Sequence, residues 1–429
     1  MNQPAGIIET LRERGLVQDI TDEGLAKKCR EGSITVYIGF DPTAPSLHVG
    51  HLVSVLILRH FQRAGHRPLA VVGGATGMIG DPSGRSAERN LLTREELDEN
   101  VAALGATLRR FLDFEGENPA MLLNNADWLG QYKFLEFLRD VGRYFRLGDM
   151  LAKESVRRRM DSEAGISYTE FSYQLLQAYD FKHLYEHHNC IAQAGGSDQW
   201  GNITAGTDFV RRTLNGDVYG MTTPLLTNAQ GEKMGKTAEG AVWLDPEKLS
   251  PYKFYQYWMQ QEDRDIERFL RMLTFLPLDE IAGIVKEHEA DSSRRVGQRR
   301  LARELTTLVH GAEEADKAEA ASQALFGGGL ERMSDEQLRA IFPDVPSIRM
   351  TRAELEADLP VVELLQRSGL APSRKEAKRL VAQGGVYLNN SASPWPAERR
   401  TVGPDDLLSE SMLVLRTGKK KYCIVEFAG

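Results

Sequence analysis

Cysteine is scarce in this chain: there are three in 429 residues, Cys29, Cys190 and Cys423, all far apart. That spacing argues against a disulfide framework and against a zinc knuckle. No apolar run approaches the roughly 20 residues needed to cross a bilayer. The longest, LVSVLILR from Leu52, suits a buried helix. The opening MNQPAGIIETLRERGL has no apolar core of a secretory signal. Internal repeats and low-complexity segments are also missing. A reduced, cytoplasmic protein without a membrane anchor is expected. An excess of positive charge is absent too, the net charge being -8. From Val361 onward, however, 11 Lys/Arg stand against 7 Asp/Glu, leaving the tail about +4 and the remainder about -12. An acidic body with a basic tail suits an enzyme that carries a polyanion-binding module.

What is present begins with alternating strand-like and helix-like patterns, the signature of an α/β layer fold. Ile34–Phe40 (ITVYIGF) and Pro68–Gly74 (PLAVVGG) read as buried strands, with a helix over His51–Ala64 between them. That order and length fit a parallel βαβ unit. A helix over Tyr168–His188, the short strand CIAQAGG and a further helix from Asp198 follow. After Lys248 the pattern is helical almost throughout. The Pro-containing, weakly periodic stretch Ile341–Pro360 reads as a linker, and a compact module of helices and short strands begins at Val361.

The segment DPTAPSLHVGH (Asp41–His51) joins the first strand to its helix. A helix start offers unpaired N–H groups and the positive dipole end, so it suits phosphates. His48 and His51 share a face there, and Gly50 leaves the backbone open. Alone, the string also reads as two histidines capping a surface turn. Its partner, NAQGEKMGKT (Asn228–Thr237), puts two glycines and two lysines in a loop, and lysine ammonium groups follow migrating phosphates as point charges. It is not a P-loop, which needs four residues between its glycines where this loop has three.

HVGH and KMGKT together resemble the HIGH and KMSKS signatures of the class I aminoacyl-tRNA synthetases. The chain departs from them by Val49, Gly235 and Thr237, and keeps every histidine and lysine. The resemblance implies a Rossmann-like parallel-sheet catalytic domain over 1–220, and the KMSKS loop with a helical domain over 221–340. A linker over 341–360 and a small α+β RNA-binding domain over 361–429 complete it. It further implies attack of an amino-acid carboxylate on the α-phosphate of ATP, with magnesium arriving on the ATP and no structural metal. Thr43, His48, Lys233 and Lys236 would stabilise the charge that builds on phosphate. His51 and Thr237 complete the catalytic set, while Gly50, Gly196 and Asp198 would bind ATP with it.

On VYIGFD, period-two geometry sends Tyr37, Gly39 and Asp41 to one face, offering a phenol, bare backbone and a carboxylate as a pocket wall. Tyr173, Gln177 and Asp180 lie at i, i+4 and i+7 of one helix face. A core stripe should not hold unpaired Gln and Asp; the alternative is an exposed polar face. In their order, YIGFDPT, VGGATGMIGDPSGR, EFSYQLLQAYD and GGSDQWGN resemble the bacterial tyrosyl-tRNA synthetases over essentially the whole chain. By that resemblance Tyr37 and Asp180 hold the substrate phenol, and Asp81, Tyr173 and Gln177 its ammonium group. Asp198 and Gln199 would contact the ribose and the reacting carboxylate region. Arg85 and Arg89 would contact the phosphates, although a lysine is common where Arg85 stands. The expected activity is ligation of tyrosine to tRNA(Tyr) by a homodimer.

Two further strings compete for attention. His183–His187 (HLYEH) matches an inverted zinc-protease motif, but no third ligand is in view, and surface or packing histidines explain it better. In the tail, Arg374, Lys375, Lys378 and Arg379 share one helical face opposite Leu380 and Val381. That face is either simply solvated or, by resemblance to an RNA-binding module named after a ribosomal small-subunit protein, a set of tRNA phosphate contacts. Three rival readings remain. A tryptophan-specific synthetase is disfavoured by Asp180 and the tail, a non-catalytic RNA-binding relative by the intact His48, His51, Lys233 and Lys236. A small HxGH adenylyltransferase would leave the chain length and KMGKT unexplained.

Overall fold

A computed structural model describes residues 6–83, 92–163, 165–237, 240–327, 334–335, 338–339, 345–389, 391, 393–418 and 421–428. The chain divides into two compact units, Met1–Leu249 with Met259–Leu305, and Ser250–Trp258 with Thr306–Gly429.

The first unit is built on a six-stranded sheet: β1 (Asp19–Ile20), β2 (Thr35–Phe40), β3 (Arg67–Val72), β4 (Met121–Asn124), β5 (Cys190–Gly196) and β6 (Tyr219–Thr223). Their order is β1-β6-β5-β2-β3-β4. All neighbours are parallel except β1, which pairs antiparallel with β6 at the edge. β2 and β3 are covered on both faces, which is why TVYIGF and RPLAVV read as apolar runs rather than alternations. The helix Leu52–Arg63 crosses between them and buries Leu52, Val55, Leu56 and Phe61. The expected parallel α/β fold is therefore present. Chain order reverses between β2 and β5, and open α/β sheets bind ligands in the crevice beyond the strand ends at such a point.

The helix Tyr168–His188 has the bounds read from the sequence. Ser167 accepts the Glu170 N–H at 3.2 Å to start it, and Asn189, at φ 50°, turns the chain directly into β5. Its approach is anchored by Glu170, which receives two bonds of 2.7 Å from Arg159; both side chains are 1% exposed.

In the second unit the strands Val386–Leu388, Met412–Thr417, Lys421–Ala428 and Ser347–Thr351 form one sheet in that spatial order. The helices Val361–Arg367 and Arg374–Ala382 share its core, which includes Leu364, Leu365, Ala377, Val381, Leu413 and Val425. The stretch 341–360 is thus not a linker as expected. Residues 341–344 lie outside the described residues, but Ser347–Thr351 pairs parallel with Lys421–Ala428, and Met350, Leu355 and Leu359 belong to the core. This edge strand follows Pro346, is five residues long and buries one of them, so it shows too little periodicity to be recognised along the chain, and the partner that pairs with it lies some 75 residues away.

Candidate active site

The crevice beyond β2 and β5 gathers most of the residues singled out from the sequence. Beyond β2, His48 opens a short turn, Val49–His51, ahead of the helix Leu52–Arg63. The Gly50 N–H donates to His48 Nδ1 at 3.0 Å, and the His48 N–H donates to His51 Nδ1 at 3.2 Å. The two rings lie 4.0 Å apart. Because each Nδ1 accepts, the proton of each neutral ring sits on Nε2. Thr43 is exposed on the loop between β2 and this turn.

The KMGKT segment meets this turn directly. Val49 N–H donates to Val242 O and Leu244 N–H to Leu47 O, both at 2.9 Å, while Val242 N–H reaches Gly235 O at 3.0 Å. Gly235 adopts φ +130°, and a Cβ at Gly50 would stand 2.8 Å from Met234 O. Lys233 extends its ammonium to within 3.6 Å of Asp198 Oδ2. Asp198 follows β5, and burial raises its pKa while the Lys233 charge opposes the rise. The main chain of Lys236–Thr237 pairs with Gly240–Ala241. Arg85 and Arg89, and the side chains of Lys236 and Thr237, lie outside the described residues.

On the helix Tyr168–His188, Asp180 is 5% exposed and accepts Trp128 Nε1–H at 2.7 Å and Asn125 Nδ2–H at 3.0 Å. Burial lifts its pKa to about 7 against those two bonds. Tyr37 is 2% exposed, and its hydroxyl has no hydrogen-bond partner among the described residues. Burial, aided by the Asp180 charge, holds that phenol in its protonated form. Asn125 also donates to Thr76 Oγ1 at 2.9 Å; Thr76 and Tyr173 donate to the two carboxylate oxygens of Asp41 at 2.8 and 2.9 Å. A Cβ at Gly73 would collide with Asp41 Oδ1 and Thr76 Oγ1, so this network needs the bare backbone there.

A second polar group surrounds Asp81. Gln199 Nε2–H donates to its Oδ2 at 2.6 Å and Ser83 N–H to its Oδ1 at 2.9 Å. Asn202 Nδ2–H reaches Gln177 Oε1 at 3.0 Å and so ties Gln177 to this cluster. Tyr173 and Asp180 are buried and Gln177 half-buried, so the exposed-face alternative is excluded. Gly39 is the exposed position of β2, while Gly50 and Gly196 are half-buried.

Thr76, Asn125, Trp128 and Asn202 were not assigned from the sequence. Thr76 lay within a motif already recognised, whereas Asn124-Asn125 at a strand end looks like ordinary turn chemistry. The HLYEH string is packing: the His183 ring stacks on Trp128 at 4.4 Å and 15°. Among the described residues no group of three or more His, Cys, Asp or Glu could hold a metal ion.

In the second unit, Arg374, Lys375, Lys378 and Arg379 are all exposed on the helix Arg374–Ala382, opposite the buried Ala377 and Val381. Arg379 donates to Glu376 at 2.6 Å and Arg374 lies 3.5 Å from Glu363.

The chain matches a family model described as tRNA synthetases class I (W and Y) over residues 28–327. A second, described as the tyrosine–tRNA ligase SYY-like C-terminal domain, covers 337–425. The tyrosine–tRNA ligase of Rhodopirellula baltica is 54% identical over 99% of this chain and 97% of its own length. The chain belongs to the tyrosine–tRNA ligase family. The family's enzyme from Opitutus terrae is 49% identical over 98% of this chain and 99% of its own. A C-terminally truncated mitochondrial tyrosyl-tRNA synthetase from Aspergillus nidulans superposes with a TM-score of 0.67 at 35% identity, covering 75% of this chain and 94% of its own. The first model embraces tryptophan and tyrosine enzymes alike; the C-terminal model and the full-length relatives separate the two.

Proposed function

We propose that this chain activates L-tyrosine with ATP and transfers it to the 3′ end of tRNA(Tyr). The observation that carries the reading is the buried Tyr37 hydroxyl, without a hydrogen-bond partner among the described residues, close to the Asp180 carboxylate. A substrate phenol accepts from Tyr37 and donates to Asp180, satisfying both; phenylalanine leaves them unpaired, which is costly for buried polar groups. The Asp81 cluster, with Gln177 and Tyr173, receives the substrate ammonium. Gln199 then lies beside the carboxylate.

A carboxylate oxygen of tyrosine attacks the α-phosphorus of ATP, forming a mixed anhydride as the bond to pyrophosphate breaks. His48 and His51 present Nε2–H donors, and Lys233, Lys236 and Thr43 add donors that follow the charge onto the leaving group. Thr237, Arg85 and Arg89 complete the phosphate contacts. Asp198 takes the ribose hydroxyls, and Gly50 and Gly196 let the nucleotide lie on bare backbone. Lys233 leaves Asp198 for the phosphates when ATP enters. Magnesium would travel with the triphosphate, whose oxygens would supply its ligands. The tRNA terminal ribose hydroxyl then attacks the anhydride carbonyl and AMP leaves.

Arg374, Lys375, Lys378 and Arg379 bind tRNA phosphates. A second copy of the chain covers an apolar surface on which Phe134, Leu135, Leu147, Met160 and Tyr168 are each more than half exposed. Sedimentation of a monomer at micromolar concentration would refute that dimer. No helix among the described residues is long and apolar enough to cross a membrane.

The test is ATP–pyrophosphate exchange with each amino acid in turn. Exchange with tyrosine and none with phenylalanine is expected. Exchange driven by tryptophan, or by no amino acid, overturns the reading.

A further inference from the structure

Away from this crevice, the first unit holds a second cavity of about 520 Å³. It lies between Arg12–Gly15, the segment Pro224–Thr227 leading from β6 toward KMGKT, and residues Arg264–Met272. Five arginines line it, Arg12, Arg14, Arg264, Arg268 and Arg271, against two carboxylates, Glu13 and Glu267. Four of the five pair with a carboxylate each: Arg12 with Glu23, Arg264 with Glu262, Arg268 with Asp265 and Arg271 with Glu267.

Arg14 is different. It is 7% exposed, and its guanidinium bonds to the carbonyls of Arg271, Thr274 and Leu276 at 3.1, 2.9 and 2.6 Å. Carbonyl dipoles satisfy some of its protons without neutralising its charge. Its Nε–H is buried with no partner among the described residues, and so is the Nε–H of Arg271. Unmade bonds on buried donors are costly, and more so on charged groups. These Nε–H groups are sealed from water, so what Arg14 offers the cavity it lines is its charge, and a permanent cation beside a roomy cavity favours an anion rich in acceptor oxygens.

We propose that this cavity binds a phosphate-bearing anion through Arg14 and Arg271, and that Arg268 relays its presence to the KMGKT loop. Arg268 donates to Thr227 O at 2.5 Å and to Thr227 Oγ1 at 3.3 Å. Thr227 in turn pairs with Lys233 in an antiparallel bridge. Asp265, the carboxylate partner of Arg268, accepts the Ala229 N–H at 3.0 Å. The root of the lysine hairpin is therefore held by the same arginine that faces the cavity. An anion drawing Arg268 toward itself loosens that hold. Nothing in this site depends on which amino acid the enzyme activates.

The phosphate arrives either free or within an RNA backbone, and one experiment separates the two. The full-length enzyme, saturated with tyrosine and a non-hydrolysable ATP analogue to fill the crevice, is titrated with inorganic phosphate by calorimetry. One phosphate per chain is expected, with affinity about tenfold weaker in Arg271→Gln, a change of roughly 1.4 kcal/mol. Amide exchange over residues 226–236 should quicken with phosphate in the parent and not in the variant. Arg271 is partly exposed, so its replacement spares the fold; an unchanged melting transition without phosphate verifies that. Phosphate binding that is absent while Arg271→Gln weakens tRNA binding identifies the RNA backbone as the source. Equal phosphate binding by parent and variant overturns the site, as does absence of phosphate binding together with unchanged tRNA affinity. Binding without the change in amide exchange overturns the relay.

Discussion

Gly235 lies so close to His48 that a Cβ there would stand 2.7 Å from the imidazole Nδ1. The residue also holds φ +130°, where side chains other than hydrogen are strained. Gly235→Ala therefore has to push the lysine hairpin off the His48 turn. We expect adenylate formation to fall about tenfold or more, from strain on the order of 1–3 kcal/mol. Stopped-flow pyrophosphate release reads the rate, and tyrosine affinity should be unchanged because Asp180 and Tyr37 are untouched. A rate equal to the parent's would show that the contact with His48 does not position the loop.

Asp180 titrates near pH 7 in the empty site because burial outweighs its two hydrogen bonds. Its protonated form cannot accept the substrate hydroxyl as a charged acceptor, so tyrosine affinity should decline as pH falls through about 7. The stability effect has the opposite sense. A carboxyl whose folded pKa is raised stabilises the fold below its unfolded pKa of roughly 4, and this is lost as pH rises through about 7. Asp180→Asn removes that loss, so urea denaturation should show the variant gaining on the parent between pH 5 and pH 8. It should also bind tyrosine and phenylalanine with nearly equal affinity. Retained preference for tyrosine would move the selectivity elsewhere.

Glu170 and Arg159 form an ion pair sealed from water. Glu170→Gln leaves the guanidinium buried and unneutralised, which we expect to cost about 3–5 kcal/mol in urea unfolding. Glu170→Leu combined with Arg159→Met should recover most of that, since an apolar pair of similar volume removes both charges. Failure of the double variant to recover would mean that the pair also specifies the path into the helix Tyr168–His188.

Lys375 and Lys378 are exposed on their helix. Replacing both with Ala should weaken tRNA binding and reduce the slope of log affinity against log salt by about 1–2. Exchange of pyrophosphate should not change. Removing the tail is best done ahead of Ser347 rather than after Pro360, because a cut at 360 strips the strand Ser347–Thr351 of its sheet.

The strands β2 and β5 and the helix Tyr168–His188 were legible along the chain because their causes are local. Apolar runs, a serine cap at Ser167 and a left-handed Asn189 are written in neighbouring residues. The linker reading failed at Ser347–Thr351 for the converse reason: that strand exists only because Lys421–Ala428 accepts it.

The same division runs through the site. Residue patterning alone carries the α/β class, and motif order marks His48, His51, Tyr37 and Asp180 as candidate site residues. Tertiary structure decides that KMGKT closes on His48, and that Asn125, Trp128 and Thr76 aim Asp180 and Asp41. It also decides that five arginines meet around one cavity. Periodicity and capping are properties of a segment, and a segment carries them in its own residues. A hydrogen bond between residues 50 positions apart is a property of the pair, and it comes into being only when the sheet brings the two together.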